Sequence, residues 1–248
     1  MVDSCSVIRL ASTWDNAEQR TFCAELPQRL AAAAETAVLH RGRNLLVRLE
    51  TSAGEVVAKQ FPPRRGLKGL FRRGCKATQA FDHATQLQEL GIGTPDPLAA
   101  IRFADGSSCY VCAWISDCRS VWDLHDRIIP DSDRHCYDLG SFVGCMHIAG
   151  ALHRDNTPGN ILLKPDGESF DHLVVDTNRM RFGSIGLWTG IGSLVQLECE
   201  ERLLEGYDWA RGYAEGRAHR LFRFQALRHR LAWRLKNSTR PLRRRLGF

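Results

Sequence analysis

The sequence predicts an α+β fold, and three observations predict it. Residues 45–51 and 56–61 read as two strands around a Ser52-Ala53-Gly54-Glu55 turn. Residues 76–90 place apolar side chains at 77, 80/81, 84, 87 and 90, the three-to-four spacing of a helix. Residues 161–163 and 172–176 form a second strand pair around Pro165-Asp166-Gly167, directly after a loop of polar and helix-breaking residues at 153–160. Strand pairs closed by tight turns make antiparallel sheet. Helical patterns dominate the rest of the second half: an apolar run from Gly140 to Leu152, with His147 inside it, and a long amphipathic segment after Arg217.

Taken in order, the first informative element is His40-Arg41-Gly42-Arg43-Asn44, just before the first strand pair. A glycine turn here can approach a phosphate closely, and Arg41 and Arg43 add charge. Gly42 is therefore a candidate nucleotide contact, with a plain turn as the alternative. The return strand, Val56-Val57-Ala58-Lys59-Gln60-Phe61, carries a lysine among apolar residues. It is similar to the V-A-I-K strand whose lysine pairs the α- and β-phosphates of a nucleotide. The 76–90 helix stops at Gly91 and the Pro95-Asp96-Pro97 run. Asp82 on it is the candidate partner of Lys59. Glu89, near the helix end, is better read as solvated.

His153-Arg154-Asp155-Asn156-Thr157-Pro158-Gly159-Asn160 matches, at each fixed position, the H-R-D-x-x-x-x-N catalytic loop of the protein-kinase fold. Phosphoryl transfer needs a carboxylate beside the attacking hydroxyl and oxygen ligands for a metal ion. Asp155 is the candidate base, and Asn160 and Asp176 are the candidate metal ligands. The hairpin between Asn160 and Asp176 is expected to return the second ligand toward the first. Asp176-Thr177-Asn178 stands where D-F-G is usual; only the Asp is needed to hold a metal. His153 is read as a loop-bracing residue. Arg154, Arg179 and Arg181 are candidate contacts for an anionic substrate, with ordinary surface arginines as the alternative.

Composition sets the remaining bounds. A chain of 248 residues with 44 % apolar and 25 % charged residues suits one large domain or two small lobes. Asp3, Asp15 and Glu18 interrupt the N-terminus, so no secretory signal is expected. Nothing in the sequence is apolar for the roughly eighteen residues that a membrane-spanning helix needs. Nine scattered cysteines, with Cys109-x-x-Cys112 the one close pair in a strand-like run, are read as reduced thiols rather than a metal site. Residues 217–248 hold eleven Arg or Lys and no Asp or Glu, whereas the first 216 residues hold 23 basic and 28 acidic side chains. The net positive charge thus resides in the tail. Leu221, Phe224, Leu227, Leu231 and Leu235 fall at helical spacing there, with Phe222 and Trp233 beside them, Pro241 as the stop and Arg243-Arg244-Arg245 beyond. Such a helix fits an anionic membrane surface, or it docks on its own protein. No specific nucleic-acid partner is expected, because no base-reading module is present.

The pattern resembles the lipopolysaccharide kinases, which phosphorylate 3-deoxy-manno-octulosonic acid (Kdo) or heptose in the bacterial lipopolysaccharide inner core. The resemblance runs from about Leu39 to Arg181. It rests on Gly91-Ile92-Gly93-Thr94-Pro95-Asp96-Pro97-Leu98, on Trp114-Ile115 before Cys118-Arg119-Ser120, on the catalytic loop, and on Val175-Asp176-Thr177-Asn178-Arg179-Met180-Arg181-Phe182. It implies a compact bilobal protein-kinase-like fold with an antiparallel-sheet N-lobe, residues 1–115, and a mainly helical C-lobe, residues 116–216, followed by the basic tail, 217–248. It implies ATP and Mg²⁺, and as partner an anionic glycolipid acceptor, the lipopolysaccharide core. The expected location is the cytoplasm, peripherally on the inner membrane. Only 72 residues follow Asp176, and no Ala-Pro-Glu occurs among them, which fits a glycan or small acceptor better than a peptide. An aminoglycoside- or choline-type small-molecule kinase and a non-catalytic pseudokinase scaffold are the alternatives.

Overall fold

The computed structural model describes residues 5–63, 75–198 and 201–238, with side chains of the last helix described as far as Arg228. Its contacts divide the chain into two compact units: residues 1–118 with 173–179, and residues 119–172 with 180–248. The sequence reading cuts the chain at 115/116 and sets 217–248 apart. The contacts instead cut it after Cys118, lend the short 173–179 segment to the first unit, and count the tail helix in the second.

The first unit is built on six antiparallel strands. In chain order these are β1 (Cys5–Leu10), β2 (Val38–Arg41), β3 (Leu45–Thr51), β4 (Gly54–Phe61), β5 (Pro97–Phe103) and β6 (Ser108–Ala113). Their spatial order is β1-β5-β6-β4-β3-β2. Helix α1 (Ala17–Ala31) covers one face and helix α2 (Lys76–Glu89) the other. Alternation along the strands explains why both helices are needed. Val47, Val56, Ala58 and Val111 point toward Phe22, Cys23, Leu26 and Leu30 of the α1 face. Phe61, Ala100 and Tyr110 point the other way, toward Ala77, Ala80 and Ala84 of α2. The 76–90 helix expected from spacing is thus present, and it ends where Gly91 turns left-handed at φ +70°. Its buried side chains are mostly alanine, which brings its backbone close to the sheet.

The second unit is mainly helical. Its elements are β7 (Arg119–Ser120), α3 (Val121–His125), α4 (Ser132–Ile148), β8 (Ala151–His153), β9 (Ile161–Asp166), β10 (Ser169–Val174), β11 (Met180–Phe182), α5 (Leu187–Leu194), α6 (Glu201–Ala210) and α7 (Arg217–Ser238). β9 lies between β10 and β7, and β8 pairs with β11. The buried helix expected over 140–152 is the second half of α4 followed by β8. Helices α4 and α6 pack at very short range: Gly140 faces the Leu203 backbone, Gly144 faces Ala210 and the Tyr207 carbonyl, and Gly206 faces the Tyr137 carbonyl. The tail helix starts where the carboxylate of Asp208, itself 3 % exposed, accepts from the Ala218 N–H at 2.9 and 3.0 Å. An anion at the first turn satisfies unpaired amides and the helix dipole together. Among the described side chains of α7, Ala218, Gln225 and Ala226 are buried. Leu231, Trp233 and Leu235 lie beyond the described side chains, and Pro241 and Arg243–Arg245 lie outside the described residues. Among the described residues no helix is long and apolar enough to cross a membrane.

The core of the second unit carries a pH-sensitive group. His147, 1 % exposed, meets the Tyr207 hydroxyl at 3.0 Å through Nδ1 and Ser193 Oγ at 3.3 Å through Nε2. It sits in the last turn of α4, where the helix dipole favours a cation. Burial wins, with Arg211 adding to it, and its pKa falls from 6.5 to about 3. The unfolded chain therefore binds one more proton than the folded one between those values. Stability rises with pH through this window and is lost as pH falls below 6.5. At pH 5 the loss from this group is about 2 kcal/mol relative to neutral pH. Urea unfolding at pH 7.5 and pH 5 checks it: His147→Gln should lose less stability on acidification than the native chain by about that amount.

Candidate active site

Each unit gathers part of the expected constellation. In the first unit, the face of β4 that looks toward α2 carries Lys59 with Phe61, and Lys59 lies opposite Tyr110 in the β4–β6 register. The Lys59 ammonium forms an ion pair with the Asp176 carboxylate, and the two side chains are 13 % and 18 % exposed. These residues are 117 positions apart in sequence. Asp176 has φ +56°, in the left-handed region that non-glycine residues seldom occupy. Asp tolerates it better than most residues, and such backbone strain persists only where the surroundings impose it.

Those surroundings come from α2 and from the Gly-Ile-Gly-Thr segment. The Thr177 hydroxyl donates to the Ala80 carbonyl at 2.8 Å. The Thr177 carbonyl lies 2.8 Å from His83 Nδ1, which must donate to it. Thr94 Oγ1 donates to the Val174 carbonyl at 2.7 Å, and the Val174 N–H donates to Gly93 O at 2.8 Å. Arg179 approaches the second carboxylate oxygen of Asp176 at 3.9 Å. His83, Thr177 and Thr94 are positioning residues that the sequence reading missed. His83 lies three residues from Ala80 and four from Leu87, on the helix's buried side, so the periodicity that located α2 also pointed to it.

Asp82 does not hold Lys59. Its carboxylate pairs with Arg9 Nε at 2.9 Å, and both side chains are 46 % exposed. The reason is angular: two residues along a helix is about 200° around it, so the residue two past buried Ala80 faces water. Lys59 takes Asp176 as its partner instead. Gly42 lies in the turn between β2 and β3, where its N–H donates to Asn44 O at 3.1 Å. A Cβ added there would come within 2.7 Å of the His40 ring, the end of a flexible side chain. Arg41 is drawn away to Glu35 at 2.7 Å.

In the second unit, β8 and β11 pair with His153 opposite Met180, which fixes the start of the 153–160 loop. His153 is 1 % exposed, and its Nδ1 accepts from the Asp155 N–H at 3.1 Å. It braces the loop, the role its sequence context suggests. Asn156 is fully buried, its N–H held by Gln196 Oε1 at 3.1 Å. The Asn160 side-chain nitrogen donates to Asp155 O at 2.7 Å and to Thr157 Oγ1 at 3.1 Å. This ties Asn160 across the loop and commits its NH₂ group, so the amide oxygen is the end left to meet a cation. Arg154 and Arg181 are exposed, and Arg179 is partly so.

Strand pair, lysine strand, packed helix, two further strands, H-R-D loop, hairpin and left-handed Asp occur here in the order that defines the protein-kinase-like fold, an α+β architecture. Among solved structures, the chain is similar to WaaP in complex with acyl carrier protein, at 20 % identity and a TM-score of 0.56 over 93 % of this chain and 98 % of that one. It also matches the kinase PK-1 of Cydia pomonella granulovirus, at 13 % identity and a TM-score of 0.46 over 73 % of this chain and 76 % of that one. No protein-family model and no curated protein matches the chain.

Proposed function

We propose that this protein transfers the γ-phosphoryl group of ATP to a sugar hydroxyl on an anionic glycolipid of the lipopolysaccharide inner-core type, a Kdo or heptose residue. The observation that carries the reading is the half-buried Lys59–Asp176 pair, with Asp176 held left-handed. A lysine and an acid brought together from 117 residues apart make a phosphate grip beside a metal ligand.

The donor set fits magnesium. A carboxylate, Asp176, and the amide oxygen of Asn160 are hard oxygen ligands of the kind that ion prefers. These two residues would hold it, and when bound it supplies neutralisation of phosphate charge. Lys59 would exchange its contact with Asp176 for the α- and β-phosphates. Asp155 would orient the acceptor hydroxyl and take its proton as the new O–P bond forms and the bond from the γ-phosphorus to ADP breaks. Positioning and electrostatics supply most of the rate in such transfers. Arg154, Arg179 and Arg181 favour an anionic acceptor over the cationic ones of aminoglycoside- or choline-type kinases, and the resemblance to lipopolysaccharide kinases supplies the glycan. On this reading the reaction takes place at the cytoplasmic face of the inner membrane.

The test is transfer from ATP, with magnesium, to deacylated Kdo-lipid A by the purified protein. Turnover supports the reading; no turnover with any core glycan would favour a scaffold. In the same assay Lys59→Met should raise the KM for ATP and lower kcat/KM on the order of 10²-fold. An unchanged KM for ATP in a folded Lys59→Met protein would remove the lysine from the nucleotide site.

A further inference from the structure

The tail helix was open to two readings, a docked helix or a membrane anchor, and the second unit contains the features of both. Ala218, Gln225 and Ala226 are buried on one half of α7. Arg220, Arg223, Phe224, Leu227 and Arg228 are exposed on the other half. The outer half does not stand alone. Gln225 Nε2 donates to the Trp188 carbonyl of α5 at 3.0 Å, and this contact sets the Trp188 indole beside the tail. Trp188 and Phe224 have ring centroids 5.8 Å apart, and the Arg228 guanidinium lies 5.3 Å from the Trp188 ring centre. Trp188, Phe224 and Leu227 are 43 %, 60 % and 57 % exposed.

Three large apolar side chains exposed on one face call for an occupant. Charge selects its chemistry. Neither α5 nor α7 contains an acid, and among the described residues Arg223 and Arg228 meet no carboxylate. Aromatic and leucine side chains ringed by arginines suit a bilayer interface, where rings enter the headgroup region and guanidinium groups meet anionic lipid. A nucleic acid would leave Leu227 with nothing to bury it.

We propose that Trp188, Phe224 and Leu227, with Arg220, Arg223 and Arg228, form a two-helix face that seats the second unit on an anionic lipid surface. The inner half of α7 keeps it docked on the protein. The proposal rests on the functional reading only in that a lipid-borne acceptor gives such a face its use, and its test needs no acceptor.

The full-length protein is sedimented with vesicles of equal parts phosphatidylglycerol and phosphatidylcholine, and with phosphatidylcholine alone. The native chain should bind the anionic vesicles, lose that binding as salt rises, and bind the neutral ones weakly. Phe224→Ser with Leu227→Ser, and separately Arg223→Glu with Arg228→Glu, should each weaken binding at least tenfold while leaving the melting temperature unchanged. Both pairs lie on the exposed half, and the buried residues that dock α7, Ala218, Gln225 and Ala226, are left in place. Equal binding to both vesicle types overturns the proposal. So does native-like binding by either double variant. Binding to polyglutamate with none to vesicles would overturn it in favour of an acidic protein partner. Transfer to soluble deacylated acceptor should be unaffected in both variants, so failure of vesicle binding with intact transfer sinks this proposal and leaves the catalytic one standing.

Discussion

Asp155→Ala should abolish phosphoryl transfer to the acceptor, lowering kcat on the order of 10³-fold while the protein stays folded. The size follows from the role. A positioned carboxylate accepts the hydroxyl proton as the bond to phosphorus forms, and an alanine at 155 can neither orient that hydroxyl nor take the proton. The fold survives because the loop is held by other atoms. The Asp155 backbone N–H donates to His153 Nδ1, and the Asp155 carbonyl accepts from Asn160 Nδ2. Both contacts remain when the side chain is cut back. Activity falling by orders of magnitude without a change in melting temperature is the expected signature. A kcat within a few fold of the native chain would assign the base elsewhere.

Gly140→Ala and Gly206→Ala should each destabilise the second unit by about 3 kcal/mol or more. A Cβ at Gly140 would lie 1.9 Å from Leu203 O, and one at Gly206 would lie 2.0 Å from Tyr137 O. These obstacles are backbone carbonyls in helices, so neither can swing aside, and α4 and α6 must move apart. Helix propensity alone favours alanine over glycine by about 1 kcal/mol, so the sign of the change tests the packing directly. Gly192→Ala in α5 is the control, because its Cβ would meet only the Gln225 amide at 3.9 Å. It should be neutral or mildly stabilising. Thermal or urea unfolding of the three variants distinguishes the cases, and comparable stability for all three would contradict the close helix contact.

Much of this molecule was readable in its sequence, and the reasons are local. The β3–β4 and β9–β10 hairpins announce themselves through turn chemistry, and α2 through its spacing and its Gly91 stop. The 153–160 loop is legible because the H-R-D-x-x-x-x-N pattern fixes residue types at fixed intervals. The failures come from long-range geometry. Nothing local predicts that β1 pairs with β5, yet that pairing, with Val7 opposite Ile101, sets Arg9 where it meets Asp82. The acid assigned to Lys59 was therefore misassigned, and the true partner lay 117 residues away. α1 was not foreseen either; Pro27 lies inside it, and prolines usually argue against a helix interior. The tail shows a subtler limit. Residues three apart drift by about 60° around a helix, so Leu221, Phe224 and Leu227 spiral from the docked side toward water instead of forming one stripe.

The central claim, that the chain phosphorylates a sugar of an anionic core glycan, is tested most directly by mass spectrometry of core glycan from cells lacking this protein. The cells are compared after restoring either the native chain or Asp155→Ala. The account predicts a phosphate-sized mass increase on one core sugar with the native chain and none with the variant. Identical glycan masses in all three cases would contradict it.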